Sequence, residues 1–230
     1  MRRTIIFLLV VGIVLAGFPL TGRTQSVVPV AAPYGGHWKK HPTVTVVSGE
    51  NDPGLPLVDE AVAFWTGQFV RMGSAFRLGP ISHTIGDIPA YQLSSKYPKP
   101  NPLAGDDLHD RINLVSSLYR INGDILVVMT NSTAGSFAIR LPTPGRKVIV
   151  TVIRTVQDSP ISAAINWIAH ELGHAIGLDH SNEDDTLMCG KRFCRTRAPS
   201  GRIYPLGKAD ITRLLAWYPR DWRPESALIQ

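Results

Sequence analysis

His170-Glu171-Leu172-Gly173-His174-Ala175-Ile176-Gly177-Leu178-Asp179-His180 is the stretch on which the reading of this chain turns. On an α-helix, residues four apart share a face, so His170 and His174 can offer two imidazoles to one point. Two neutral nitrogen ligands of this kind suit Zn²⁺, which prefers tetrahedral sites. Glu171 adjoins the first histidine and can reach a water on the ion without ligating it. Gly177 is placed to end the helix in a left-handed conformation, so that the chain turns back and brings His180 round as a third ligand. Three protein ligands leave a coordination position open, as in a catalytic rather than a structural zinc site. Three of the chain's seven histidines fall within these eleven residues, beside a glutamate and a glycine at the needed offsets. Chance placement of unrelated histidines is the competing account, and this coincidence of spacing disfavours it.

Outward from that stretch, Ser159-Pro160 supplies a cap residue and a first-turn proline. Ile161, Ile165, Ile168, Leu172 and Ile176 then follow at core-facing spacing, predicting a helix over 161–176. Upstream, Thr43–Val47, Phe76–Ile81, Asp124–Thr130, Gly135–Leu141 and Lys147–Ile153 read as strands. Leu57–Val70 has helical period, and a last helix is expected over Lys208–Tyr218, before Pro219. Residues 86–106, crowded with Pro, Gly and Asp, predict a long loop, followed by a short helix at Leu108–Tyr119. Strands first and buried helices later imply an α+β domain with helices packed on a mixed sheet.

Composition narrows the class. The 230 residues are 44% apolar and 18% charged, enough to bury a core and unlike a disordered chain. Met1-Arg2-Arg3 precedes an apolar run, Ile5–Phe18, in the manner of a secretory signal peptide; an uncleaved membrane anchor is the alternative. Residues 1–25 are therefore expected to be a signal peptide or N-terminal anchor, and 26–230 a single catalytic domain that is secreted or otherwise extracytoplasmic. Setting aside Arg2, Arg3 and Arg23 reduces the formal charge from +6 to +3, too small an excess to suggest nucleic acid. Membrane contact is expected only if the N-terminal segment is retained.

The motif HExxHxxGxxH, as it stands at residues 170–180, is that of the metzincin zinc peptidases, and further residues resemble the matrixin branch, which includes the matrix metalloproteinases. Ser181 follows the third histidine, and Met188, eight residues beyond it, stands where matrixins place the methionine of the Met-turn. His37-Trp38-Lys39-Lys40, Gly123–Val127, Leu206–Ile211 and Trp217-Tyr218 are weaker echoes. The resemblance implies a zincin-like fold: a twisted mixed sheet packed with helices, with HExxH on the active-site helix. It implies one catalytic Zn²⁺ held by His170, His174 and His180, with Glu171 as general base in peptide-bond hydrolysis. It also implies that an edge strand, here Phe137, Ala138 and Ile139, pairs with an extended protein or peptide substrate. The chain is expected to be a monomer.

The likeness has gaps. No cysteine precedes the helix, so the matrixin cysteine switch is missing. No calcium or structural zinc loop is identified between 131 and 158, residues 86–119 read as an insertion, and Cys189-Gly190 replaces the usual Tyr-Pro after Met188. Cys189 and Cys194 read as a small disulfide in an oxidising compartment, with two reduced thiols as the alternative. Lys191, Arg192, Arg195, Arg197 and Arg202 form either a basic loop that favours acidic substrate groups or a merely solvated one. Asn131-Ser132-Thr133 is a glycosylation sequon, and Asp184-Asp185 a solvated turn. The expected activity is that of a zinc metalloendopeptidase. The alternatives are an inactive zinc-binding interaction module and a hydrolase of a non-protein amide.

Overall fold

The computed structural model describes residues 37–85, 120–130, 136–141, 148–154, 161–190 and 203–225, all within the unit Ala31–Gln230. The elements run β1 (Val44–Ser48), α1 (Leu55–Met72), β2 (Ile81–Ile85), β3 (Ile125–Thr130), β4 (Phe137–Leu141), β5 (Val148–Arg154), α2 (Ile161–Ala175) and α3 (Lys208–Trp217). Five strands form one sheet in the order β2-β1-β3-β5-β4. Every pairing is parallel except β4 with β5. The chain is thus a mixed α/β structure with a mostly parallel sheet and three helices. The signal or anchor segment, the loop at 86–106, the helix at 108–119, the sequon, Ser159-Pro160, Cys194 and the basic cluster lie outside the described residues.

β1 and β3 are nearly unbroken β-branched and aliphatic runs because both of their faces are covered. Val44, Val46, Ile125, Val127 and Met129 belong to the core shared with the helices, and Thr45, Val47, Leu126 and Val128 on the opposite face are buried as well. The two strands also begin together: Asp124 accepts from the Thr43 backbone N–H at 2.9 Å and hydroxyl at 3.0 Å, and pairs with Lys40.

One expected strand is displaced. Phe76–Pro80 lies outside the strand, which starts at Ile81 and runs to Ile85. Phe76 and Leu78 are apolar for another reason. Phe76 stacks on Tyr218 with ring centroids 4.0 Å apart and meets Phe69 and Trp222 edge-on. Gly79, at φ 106°, and Pro80 then turn the chain into the sheet. Alternation alone could not separate burial in an aromatic cluster from burial on a sheet face.

Helix α2 carries the site and is held from several sides. It packs against α1, β4 and β5, and Ala164, Ile168, Ala169 and Leu172 are fully buried. Three aromatic side chains also donate to carbonyls of the helix and of the residue that follows it. The Trp65 indole N–H reaches Ala169 at 2.9 Å, the Trp38 indole reaches Ala175 at 2.9 Å, and the Tyr218 hydroxyl reaches Ile176 at 2.9 Å. The last two satisfy carbonyls left without partners at a helix C-terminus.

Helix α3 is tied to the loop after α2 by an exposed carboxylate. Glu183 accepts from the backbone N–H groups of Lys208 at 3.0 Å and Ala209 at 2.9 Å. An anion is favoured at a helix N-terminus, and these two bonds hold the Glu183 carboxyl below its ordinary range. Gly207 leaves the room, since a Cβ there would lie 2.8 Å from the Glu183 carboxyl carbon. A carboxylate with a lowered folded pKa stabilises above its unfolded value and loses that contribution as pH falls through the folded one. Glu183→Ala should therefore lower the melting temperature by a few degrees at neutral pH, and the gap should narrow once the solution is well below pH 4.5. Thermal unfolding followed by circular dichroism across that range checks this.

Candidate metal centre

The end of α2 builds the site. Gly177 has φ 108°. Its N–H donates to the His174 carbonyl at 2.9 Å, and the Leu178 N–H donates to the Gly173 carbonyl at 2.9 Å. These are the paired bonds of a Schellman motif. A side chain on Gly177 would also meet the Trp217 ring at 2.8 Å. The expected left-handed exit is therefore present, and it directs the chain back along the helix toward His180.

The cap also orients a ligand. His174 Nδ1 lies 2.8 Å from the Leu178 carbonyl, and His170 Nδ1 lies 2.7 Å from the Leu187 carbonyl. A carbonyl can only accept, so both rings carry their proton on Nδ1. Burial holds His170 down to about 4 and His174 down to about 3, mainly by desolvation, and lowers His180 for the same reason. At neutral pH these rings are uncharged, and the Nε2 atoms of His170 and His174 present bare lone pairs.

Those lone pairs converge. The three Nε2 atoms stand 3.1 Å (His170–His174), 3.2 Å (His170–His180) and 3.3 Å (His174–His180) apart. An ion about 2.05 Å from each nitrogen would subtend N–ion–N angles of about 98–107° across those edges, close to tetrahedral. The facing acceptors of His170 and His174 repel at 3.1 Å, and a cation between them would remove the repulsion. Among the described residues, these histidines are the group of metal-ligating side chains placed to share an ion. The donor set of three imidazoles fits Zn²⁺ well and fits a hard oxygen-seeking cation such as Ca²⁺ poorly.

Glu171 lies on the helix between the two histidines and is 6% exposed. Its Oε2 is buried without a hydrogen-bond partner, and desolvation pushes its carboxyl up to about 8. A nearby cation would favour the ionised form.

Met188 is fully buried and packs directly on the helix. A Cβ at Gly173 would lie 2.5 Å from the Met188 sulfur, so the glycine inside the histidine motif is what lets the methionine approach. The loop carrying Met188 is closed on His180's neighbour. The Ser181 N–H donates to the Met188 carbonyl at 2.7 Å, the Gly190 N–H donates to the Ser181 carbonyl at 2.9 Å, and Ser181 bridges Cys189. Gly190 sits against the His180 ring with no space for a side chain. Cys189 is disulfide-bonded, and Cys194 is the chain's other cysteine. Asp185 has φ 56°, consistent with the expected turn.

Phe137, Ala138 and Ile139 lie on β4, at the edge of the sheet, with Ala138 registered opposite Thr151. The structure brings His170, His174, His180, Glu171 and Met188 together. Sequence reading missed Gly190 and the Leu178 and Leu187 carbonyls. Gly190 had a signal, a glycine directly after the half-cystine, whereas backbone acceptors leave no trace in residue identity.

The protonation balance of Glu171 is measurable. Without a metal, its folded pKa of about 8 exceeds the ordinary 4.5. The fold therefore favours the neutral carboxyl, an advantage complete below pH 4.5 and lost as pH rises through 8. In chelator-treated protein, Glu171→Gln should match wild type near pH 4.5 and exceed its stability above pH 8 by about 2–5 kcal/mol. Urea unfolding across this range checks the divergence, which added zinc should diminish.

Neither a protein-family model nor a curated protein matches the chain. The functional reading rests on the geometry of the three histidines and Glu171.

Proposed function

We propose that this chain is an extracytoplasmic zinc endopeptidase with a metzincin-like, matrixin-like catalytic domain. The observation that carries the reading is the convergence of three uncharged imidazoles beside a buried glutamate whose Oε2 has no protein partner. A metal site that serves only the fold is filled by protein ligands, whereas three ligands and an unattached carboxyl suit hydrolysis. The disulfide at Cys189 fits an oxidising compartment.

His170, His174 and His180 would hold the ion. Zinc there supplies Lewis acidity, which acidifies water and polarises a substrate carbonyl. Glu171 takes the proton of the attacking water and returns it to the leaving amine. Its burial places that exchange away from bulk solvent. Leu178 and Leu187 keep the Nε2 atoms of His174 and His170 turned inward throughout, since rotating either ring would break its Nδ1 bond. β4, at the edge of the sheet formed by the described strands, can receive an extended peptide by strand addition, with backbone bonds supplying affinity and side-chain pockets preference.

The test is cleavage of an unfolded protein by the purified domain, with and without a chelator. Zinc-loaded wild type should cleave, and chelation should abolish cleavage. Glu171→Ala should lower kcat/KM by about 10²–10⁴-fold while zinc content stays at the wild-type level. Unchanged cleavage by that variant would overturn the assignment of Glu171, and a chain that binds zinc but cleaves nothing would point to an interaction module.

A further inference from the structure

Four residues before His170, on the same face of α2, lies Asn166, buried at 7% exposure. Its Oδ1 accepts from the Tyr204 backbone N–H at 2.8 Å, a buried bond linking residues 38 positions apart. The next residue, Pro205, gives its carbonyl to the Leu187 N–H at 2.8 Å. The Leu187 carbonyl in turn accepts from His170 Nδ1 at 2.7 Å. These contacts and one turn of α2 close a ring: Asn166, Tyr204, Pro205, Leu187, His170 and back along the helix.

We infer that Asn166 is a positioning residue for the metal centre, setting the orientation of His170 through the Tyr204-Pro205 segment and Leu187. This rests on the proposed zinc reading and adds to it a residue outside the histidine motif. The reason is geometric. The Leu187 carbonyl fixes His170 only if Leu187 is itself fixed, and its N–H is held by the Pro205 carbonyl. The Tyr204-Pro205 segment is registered against α2 by the side chain of Asn166. Losing the Oδ1 acceptor leaves the Tyr204 N–H buried without this bond and frees the segment to slide. The His170 ring then loses its fixed acceptor. Partners that orient a metal-ligating histidine typically contribute 10–100-fold in metal affinity.

The experiment measures zinc affinity at neutral pH by competition with a chromophoric chelator. Asn166→Leu, similar in size but without an acceptor, should bind zinc about 10-fold more weakly than wild type. Asn166→Asp retains an acceptor oxygen in place and should stay near the wild-type affinity. Val58→Ala, a truncation of a buried α1 residue that contributes no bond to the ring, should lose stability but not zinc affinity. A measurement on the wild-type chain covers failure of a variant to fold. Zinc should slow hydrogen exchange of the Tyr204 amide more than that of Val46 in β1, because coupling between sites is reciprocal. Unchanged affinity in Asn166→Leu, equal weakening in Val58→Ala, or equal slowing of the two amides would overturn the inference while leaving the zinc site standing. A wild-type chain that takes up no zinc would overturn both.

Discussion

Two carbonyl oxygens decide the electrostatics of this molecule's centre. Leu178 and Leu187 take the Nδ1 protons of His174 and His170, which forces the other ring nitrogens to face inward as bare acceptors. The Nε2 atoms of His170 and His174, 3.1 Å apart, cannot satisfy each other, and His180 Nε2 stands within about 3.3 Å of both. Burial disfavours protonation of His170 and His174, because a charged imidazole is costly in a desolvated site. A cation shared by the three rings would meet all of their lone pairs at once. The fold meets the cost of holding that arrangement by over-determining its supports.

Those supports converge on one helix. α2 receives hydrogen bonds from Trp65, Trp38 and Tyr218, side chains drawn from α1, the segment before β1 and the C-terminal region. Each aromatic ring also contributes apolar area to the core, so the polar tip and the ring act together. The loop after α2 is stitched back to it through Ser181, Met188 and Gly190, and Glu183 ties the same loop to α3. Small residues set the approach distances. Gly173 admits the Met188 sulfur, and Gly190 admits the His180 ring. A methyl group at either place would meet an atom that the metal centre needs where it is.

Much of this was legible in the chain. Ile165, Ile168, Leu172 and Ile176, the i, i+4 histidines and Gly177 located the helix, its face and its exit to within a residue, whereas Ile161, expected on the same core face, is exposed in the first turn. β1, β3 and β5 announced themselves as β-branched runs. Phe76–Ile81 misled because its alternating apolar residues serve a stack with Tyr218, and the strand lies just beyond it. β2 itself is mostly exposed and weakly patterned, so hydrophobic periodicity had little to detect. The contacts that aim the histidines were out of reach for a different reason. Carbonyl acceptors belong to every residue, and only the folded path shows which of them lies under a given ring.

The chain departs from the metal centre at Gly190 and re-enters the described structure at Ile203. Both margins are fastened independently. Gly190 is anchored on Ser181, while Tyr204 and Pro205 are anchored on Asn166 and Leu187. Each margin is therefore held by bonds of its own, on the side of the histidines. The surroundings of the three histidines are thereby constrained atom by atom, from the carbonyl under His170 to the glycine against His180, and inherited change at those contacts has little room to be silent.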